Sequence, residues 1–213
     1  MRTLTLSLLT VLFVTAAPPA LRARVRAQNQ PSSPGALPCE LTAEDYAVYS
    51  AILDDLGTPE DPEEEWRRSP DFILADRTTV DTFSDYDPTW GFRSNSKQAP
   101  SSQTVADFKA RLKKSCAIRP LFKAKISPHL VSNDEISKLF EQKGDGWKGF
   151  YQRYPKSSGT WNLSSVGYSN DGLEALVFVR HGCGGKCGTG HLVLLAKEHG
   201  TWVVKNRTML WIS

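Results

Sequence analysis

Along the chain, segments whose apolar residues recur every three or four positions give way, past Pro155, to segments where they recur every second position. Thr42, with Asp45 three residues on, has the pattern of an N-cap and capping box. Tyr49, Ile52, Leu53 and Leu56 then return at helical spacing until Gly57, which predicts a first helix with one apolar face. Phe72 to Ala75 form a short apolar run that emerges into Asp76, Arg77, Thr78 and Thr79, the pattern of a buried strand. Val105, Phe108 and Leu112 mark a second helix, and Lys113 and Lys114 follow where the helix dipole favours cations. Leu121 to Ile126, after Pro120, read as a strand. Ser132 and Glu135 make a Ser-x-x-Glu box opening a helix with Ile136, Leu139 and Phe140. Trp147, Phe150, Tyr151 and Tyr154, at i, i+3, i+4 and i+7, place four rings on one helical face that ends at Pro155. Packing in the core outweighs stacking on a sugar or peptide as the reason for that stripe.

The remainder reads as β-structure. Trp161 to Tyr168, Leu173 to Arg180, His191 to Lys197 and Thr201 to Ile212 are dense in β-branched, aromatic and aliphatic residues. Turn chemistry separates them at Asn170-Asp171-Gly172, across Gly182 to Gly190, and at His199-Gly200. Short connections require antiparallel neighbours. The second run is apolar on both phases, so it belongs at the centre of the sheet, covered on both sides. The expected fold class is α+β, with a C-terminal four-stranded antiparallel meander packed against amphipathic helices: the Trp147 to Tyr154 helix on one side, the N-terminal helices on the other.

Two stretches interrupt the pattern. Thr58 to Pro70 combines three prolines with Glu63, Glu64, Glu65, Arg67 and Arg68, an exposed excursion with local charge compensation. Phe83 to Ser102 carries Tyr86, Trp90 and Phe92 among polar residues. Either those rings seal the core or they line a binding surface, so Trp90, Phe92 and Tyr86 are the candidate ligand-binding residues.

The amino-terminal segment changes the charge picture. Arg2, an apolar run from Leu4 to Val14 and the small residues Ala16 and Ala17 have the organisation of a signal peptide, expected to span 1–27 with cleavage after Ala27 or after Ala16. The run is shorter than the roughly 20 residues of a spanning helix, so no stable membrane anchor is expected after processing. Residues 28–38, rich in Gln, Asn, Pro and Ser, read as a flexible tether, leaving 39–213 as a single domain. Of 26 basic and 23 acidic residues, the four basic Arg2, Arg22, Arg24 and Arg26 and no acidic one fall in 1–27, leaving 22 basic against 23 acidic after processing. The basicity belongs to the leader and gives no reason to expect nucleic acid as a partner. Localisation is expected to be periplasmic or secreted.

In an oxidising compartment the four cysteines read first as two disulfides. Three pairings are formally possible, and proximity in sequence favours Cys183 with Cys187, leaving Cys39 with Cys116. The segment His181 to His191 holds two thiols and two imidazoles. Its spacing H-x-C-x3-C-x3-H matches none of the usual zinc knuckles, so a disulfide-pinned hairpin with glycines for tight turns and positive φ angles is the first reading. A metal site of His181, Cys183, Cys187 and His191, or a redox-active thiol pair, is the alternative. No cofactor is expected. The chain has no G-x-S-x-G, H-E-x-x-H, P-loop or strand-following G-x-G-x-x-G pattern. No catalytic residue stands out: His129 is one candidate base, though a lone histidine is more often structural.

The string W-x-x-F-Y-x-x-Y-P-x-S-x-G at Trp147 to Gly159, S-x-V-G-Y at Ser164 to Tyr168, A-L-V-F-V from Ala175, C-G-x-x-C-G-x-G from Cys183 and the final W-I-S resembles a family of uncharacterised, signal-peptide-bearing bacterial proteins. The resemblance covers about 147–213 and implies export and a shared C-terminal sheet. It implies no catalytic residue. Two functions follow as expectations: an exported, disulfide-stabilised, non-enzymatic domain binding a small molecule, peptide or protein, or else a small periplasmic hydrolase or thiol- or metal-dependent enzyme.

Overall fold

The computed structural model describes residues 39–57, 71–80, 90–95, 98–141 and 146–213. The leader and tether, the excursion at 58–70 and Tyr86 lie outside them.

α1 (Ala43–Leu56) starts where Thr42 and Asp45 exchange side-chain and backbone bonds as a complete capping box, and Gly57 closes it. β1 (Asp71–Ala75) follows, then the short α2 (Trp90–Asn95) and α3 (Ser102–Arg111), capped by Ser101. β2 (His129–Val131) leads into α4 (Asn133–Glu141) and α5 (Gly146–Arg153). At the start of α4, Ser132 Oγ accepts from the Glu135 N–H. Glu135 does not complete the reciprocal box: its carboxylate accepts from Tyr154 Oη at 2.6 Å, and burial together with that bond pushes the Tyr154 phenol up to about 12. The chain ends in β3 (Ser157–Leu163), β4 (Gly167–Tyr168), β5 (Glu174–Gly184), β6 (Cys187–Glu198) and β7 (Thr201–Ile212).

These strands form one mixed seven-stranded sheet in the order β2-β1-β3-β5-β6-β7, with β4 beside β5. The architecture is α+β, and the sheet is larger than the four strands expected: β3, β5, β6 and β7 pair antiparallel in chain order, as part of a mixed sheet of seven. β1 pairs in parallel with both β2 and β3, extending the sheet at one side. The expected run from Trp161 to Tyr168 divides in two because Ser164 interrupts the ladder: its hydroxyl accepts the Phe178 N–H, and its carbonyl accepts from the buried Tyr49 Oη at 2.8 Å. β3 and β4 then occupy successive stretches of β5.

One face of the sheet carries Phe72, Leu74, Trp161, Leu163, Val177, Val179, Val193 and Leu195, closed by Tyr49, Ile52 and Leu53 of α1. On the other face Leu176, Phe178, Leu192 and Leu194 meet Phe92, Phe108 and Leu112. Phe150 of α5 and Tyr154, just past its end, pack on Ile73 and Val131. Phe150 and Tyr154 of the ring stripe are therefore core, over β1 and β2, whereas Trp147 and Tyr151 are only partly buried; α3 sits over the centre of the C-terminal strands.

Leu121 to Ile126 is not a strand. It runs along α1, with Phe122, Ala124 and Ile126 against the core, and its backbone donors bond to helix side chains at four-residue spacing. The N–H groups of Arg119, Lys123 and Lys125 meet Tyr46 Oη, Ser50 Oγ and Asp54 Oδ1. The alternating pattern has the look of a strand because a strap on a helix buries every second side chain as well.

Candidate functional site

The strand register brings distant residues into rows across the α1 face. Trp161 on β3 stands opposite His181 on β5, His181 opposite Thr189 on β6, and Thr189 opposite Ile212 on β7. The next row is Val179, His191 and Met209, and the one after it Val177, Val193 and Arg207. The face turns polar where α1 ends, and two cavities that share Thr189 lie there.

The first cavity, about 450 Å³, lies at the tip of the β5–β6 hairpin and is lined by Tyr151, Ser158, His181, Lys186, Thr189 and the Cys183–Cys187 disulfide, among others. Its walls come from α5, β3, β5, β6 and β7, so side chains far apart in sequence converge. His181 is 4 % exposed, stacked on Trp161 with ring centroids 4.2 Å apart. Its Nε2 lies 2.9 Å from the Ser158 carbonyl oxygen; a carbonyl only accepts, so Nε2 carries the proton. Tyr151 Oη donates to the Cys183 carbonyl at 2.9 Å, tying α5 to the hairpin, and burial raises its phenol pKa. Lys186 projects from the turn, exposed, and supplies positive charge to the rim.

The second cavity, about 270 Å³, is a recess between α1 and the sheet. Ile52, Leu56, Val193 and Met209 give it apolar walls; Trp161, Thr189, His191 and Arg207 give it polar groups. Arg207 forms an ion pair with Asp55, and burial lowers the guanidinium pKa from its ordinary value without threatening its charge at neutral pH.

Disulfides join Cys39 to Cys116 and Cys183 to Cys187. With the two hairpin sulfurs bonded to each other, His181, Cys183, Cys187 and His191 are not a four-ligand metal set. Among the described residues no group of three or more His, Cys, Asp or Glu could hold a metal ion. The glycines of this segment do not serve tight turns with positive φ: that conformation occurs at Gly159, Gly172 and Gly200, and Gly182 to Gly190 lies within paired strands except at the Gly185-Lys186 turn. Gly190 instead makes room for a ring, since a Cβ there would stand 2.3 Å from Trp211 Nε1.

The aromatic candidates separate. Phe92 is fully buried in the core beneath α3, which excludes it from a ligand surface; a ring flanked by polar residues proved to be a plug. Trp90 stands 63 % exposed, away from both cavities. His129 is exposed on β2, edge-on to Tyr154. Sequence reasoning missed Ser158, Trp161, Thr189 and Arg207 as site residues, because only the register across four strands assembles them.

No protein-family model, curated protein or solved structure matches the chain. Among the described residues no helix is long and apolar enough to cross a membrane.

Proposed function

We propose that the chain is an exported, non-enzymatic binding domain that takes its ligand at the polar end of the α1 face, in the cleft under the β5–β6 hairpin tip. One observation carries this reading: the concave site of about 450 Å³ is walled by five elements and fixed by a disulfide, the His181–Trp161 stack and the Tyr151–Cys183 bond. Preformed concavity with a few convergent polar groups is the usual character of a small-ligand site. The sulfurs that an attacking thiolate or a metal would need are bonded to each other, which favours binding over chemistry. Export rests on the leader pattern and on disulfides, which persist outside reducing compartments.

The test is a melting-temperature screen of the full chain against small acids, sugars and short peptides, repeated on Thr189→Trp, whose ring fills the shared wall of both cavities. A ligand that stabilises the native protein and not the variant supports the proposal. Turnover of an ester, peptide or disulfide substrate in the same screen would replace it with the enzyme reading.

A further inference from the structure

The two disulfides sit in opposite surroundings. Cys116 is only 2 % exposed, with its sulfur 3.6 Å from the hydroxyl of the buried Ser165, and its bridge to Cys39 closes a separation of 77 residues. Cys187 stands exposed at the tip of the β5–β6 hairpin, and its bridge to Cys183 closes a separation of four. The hairpin does not need that bridge for its register, because the ladder pairs every residue of β5 from Glu174 to Gly182 with β6 and then Gly184 with Cys187. A solvent-open bridge that adds little to the fold is the kind that exchanges; a buried one that closes a long loop resists reduction. The surroundings also suit an incoming thiolate. Lys186, exposed within the loop that the bridge closes, lines the same cavity as both cysteines, and no Asp or Glu side chain lines it. A cation there attracts the attacking anion and favours the thiolate that departs. The cavity of about 450 Å³ leaves room for the group that carries the attacking sulfur.

We infer that Cys183–Cys187 is a thiol-exchange site whose substrate is a dithiol. A thiolate of the dithiol attacks Cys187 Sγ; the bond between the two cysteines breaks, a mixed disulfide forms at Cys187, and Cys183 leaves with the electron pair and takes a proton. The second thiol of the dithiol then gives up its proton and attacks the dithiol's own sulfur in the mixed disulfide, so that Cys187 leaves as a thiolate and is protonated in turn. The dithiol is oxidised to a disulfide by two electrons, the bridge is reduced to two thiols, and the reverse sequence restores it. The bonded pair is the group attacked, not the attacker, and each molecule takes up one pair of electrons, so the exchange is stoichiometric and compatible with a non-enzymatic domain. It stands apart from the binding reading, since it needs only that a sulfur reach Cys187.

The test is to equilibrate the native full chain with increasing dithiothreitol, quench with iodoacetamide and map the alkylated cysteines by peptide mass. Cys183 and Cys187 should be alkylated together, at dithiothreitol concentrations at least about tenfold below those that open Cys39–Cys116. The protein reduced at that one bridge should keep its near-ultraviolet circular dichroism and regain the bridge against oxidised dithiothreitol. Brief exposure to glutathione, followed by acid quenching, should place the mixed disulfide on Cys187. Lys186→Gln should slow the reduction at least about twofold at low salt, and the difference should shrink at high salt. Reduction of both bridges at one concentration, survival of Cys183–Cys187 until the chain unfolds, or glutathione on Cys183 each overturns the assignment; an equal rate in Lys186→Gln overturns the part given to the lysine. If exchange fails while a ligand still raises the melting temperature, the exchange site falls and the cleft reading stands. If exchange occurs as described and no ligand stabilises the chain, the exchange site stands without it.

Discussion

The indole of Trp161 lies against the imidazole of His181, centroids 4.2 Å apart and planes 24° from parallel, so that a single stacked pair joins the floor of the recess to the wall of the hairpin cleft. Phe72 stacks on the same indole at 4.9 Å. His181 is thus a packing element as well as a lining one. His181→Ala should cost about 2–4 kcal/mol through the cavity it leaves and the bond to Ser158 it removes, measured by urea unfolding. A loss under about 0.5 kcal/mol would mean that the stack does not hold the site.

The two disulfides should differ in weight. Cys39–Cys116 closes a separation of 77 residues and ties the start of α1 to the segment after α3, whereas Cys183–Cys187 spans a separation of four across strands already paired. On the loop-entropy argument the first is worth up to about 4.5 kcal/mol and the second about 2 kcal/mol at most. Serine replacement of the first pair should lower the unfolding midpoint far more than replacement of the second, which should leave a folded protein.

Ser50 holds the strap to α1: its hydroxyl donates to the Tyr46 carbonyl at 2.6 Å and accepts from Lys123 N–H at 2.8 Å. Ser50→Ala removes the partner of that part-buried N–H and should cost about 0.5–1.5 kcal/mol in chemical denaturation. An unchanged midpoint would show that water serves the strap instead.

Much of the helical layer is legible in the sequence, because an N-cap such as Thr42 and a stripe such as Val105, Phe108 and Leu112 are local signals. The turn between β6 and β7 is legible for the same reason: His199 and Gly200 both adopt the positive φ it requires. The parallel pairing is not, since β2 has three residues and β1 finds its partners through long connections that no local pattern encodes. The candidate site divides in the same way. The cysteines and His181 announce themselves, whereas Trp161 and Arg207 look like ordinary strand residues until the register sets them on one face.

Gly190 gives a separate check on the hairpin. With a Cβ only 2.3 Å from Trp211 Nε1 and 3.0 Å from the Phe178 ring, Gly190→Ala must displace one of two packed aromatics. A loss of about 1–3 kcal/mol is expected, read from thermal unfolding.

Glu44 should mark the acid limb of stability. Its carboxylate accepts from Lys197 Nζ and from Trp202 Nε1, both at 2.6 Å, and the Lys197 bond, aided by the Trp202 bond and the lysine charge, lowers its pKa from the ordinary value of 4.5 against the opposing effect of burial. A depressed folded-state pKa gives stability that is present above 4.5 and lost as the pH falls through the lowered value. The group is largely solvent-screened, so the contribution is modest. In Glu44→Gln, the part of the acid-limb slope below pH 4.5 that this carboxylate supplies should vanish; an identical pH profile for the variant would remove Glu44 from the account.

The most direct measurement is backbone resonance mapping on the isotope-labelled full chain during titration with whichever compound most raises its melting temperature. Ligand entry at the hairpin tip should shift Tyr151, Ser158, His181, Lys186 and Thr189 together, with saturation and without loss of the folded spectrum. Shifts confined to the outer surface of α1, around Ala47, Ala51 and Leu121, would contradict the assignment of this site.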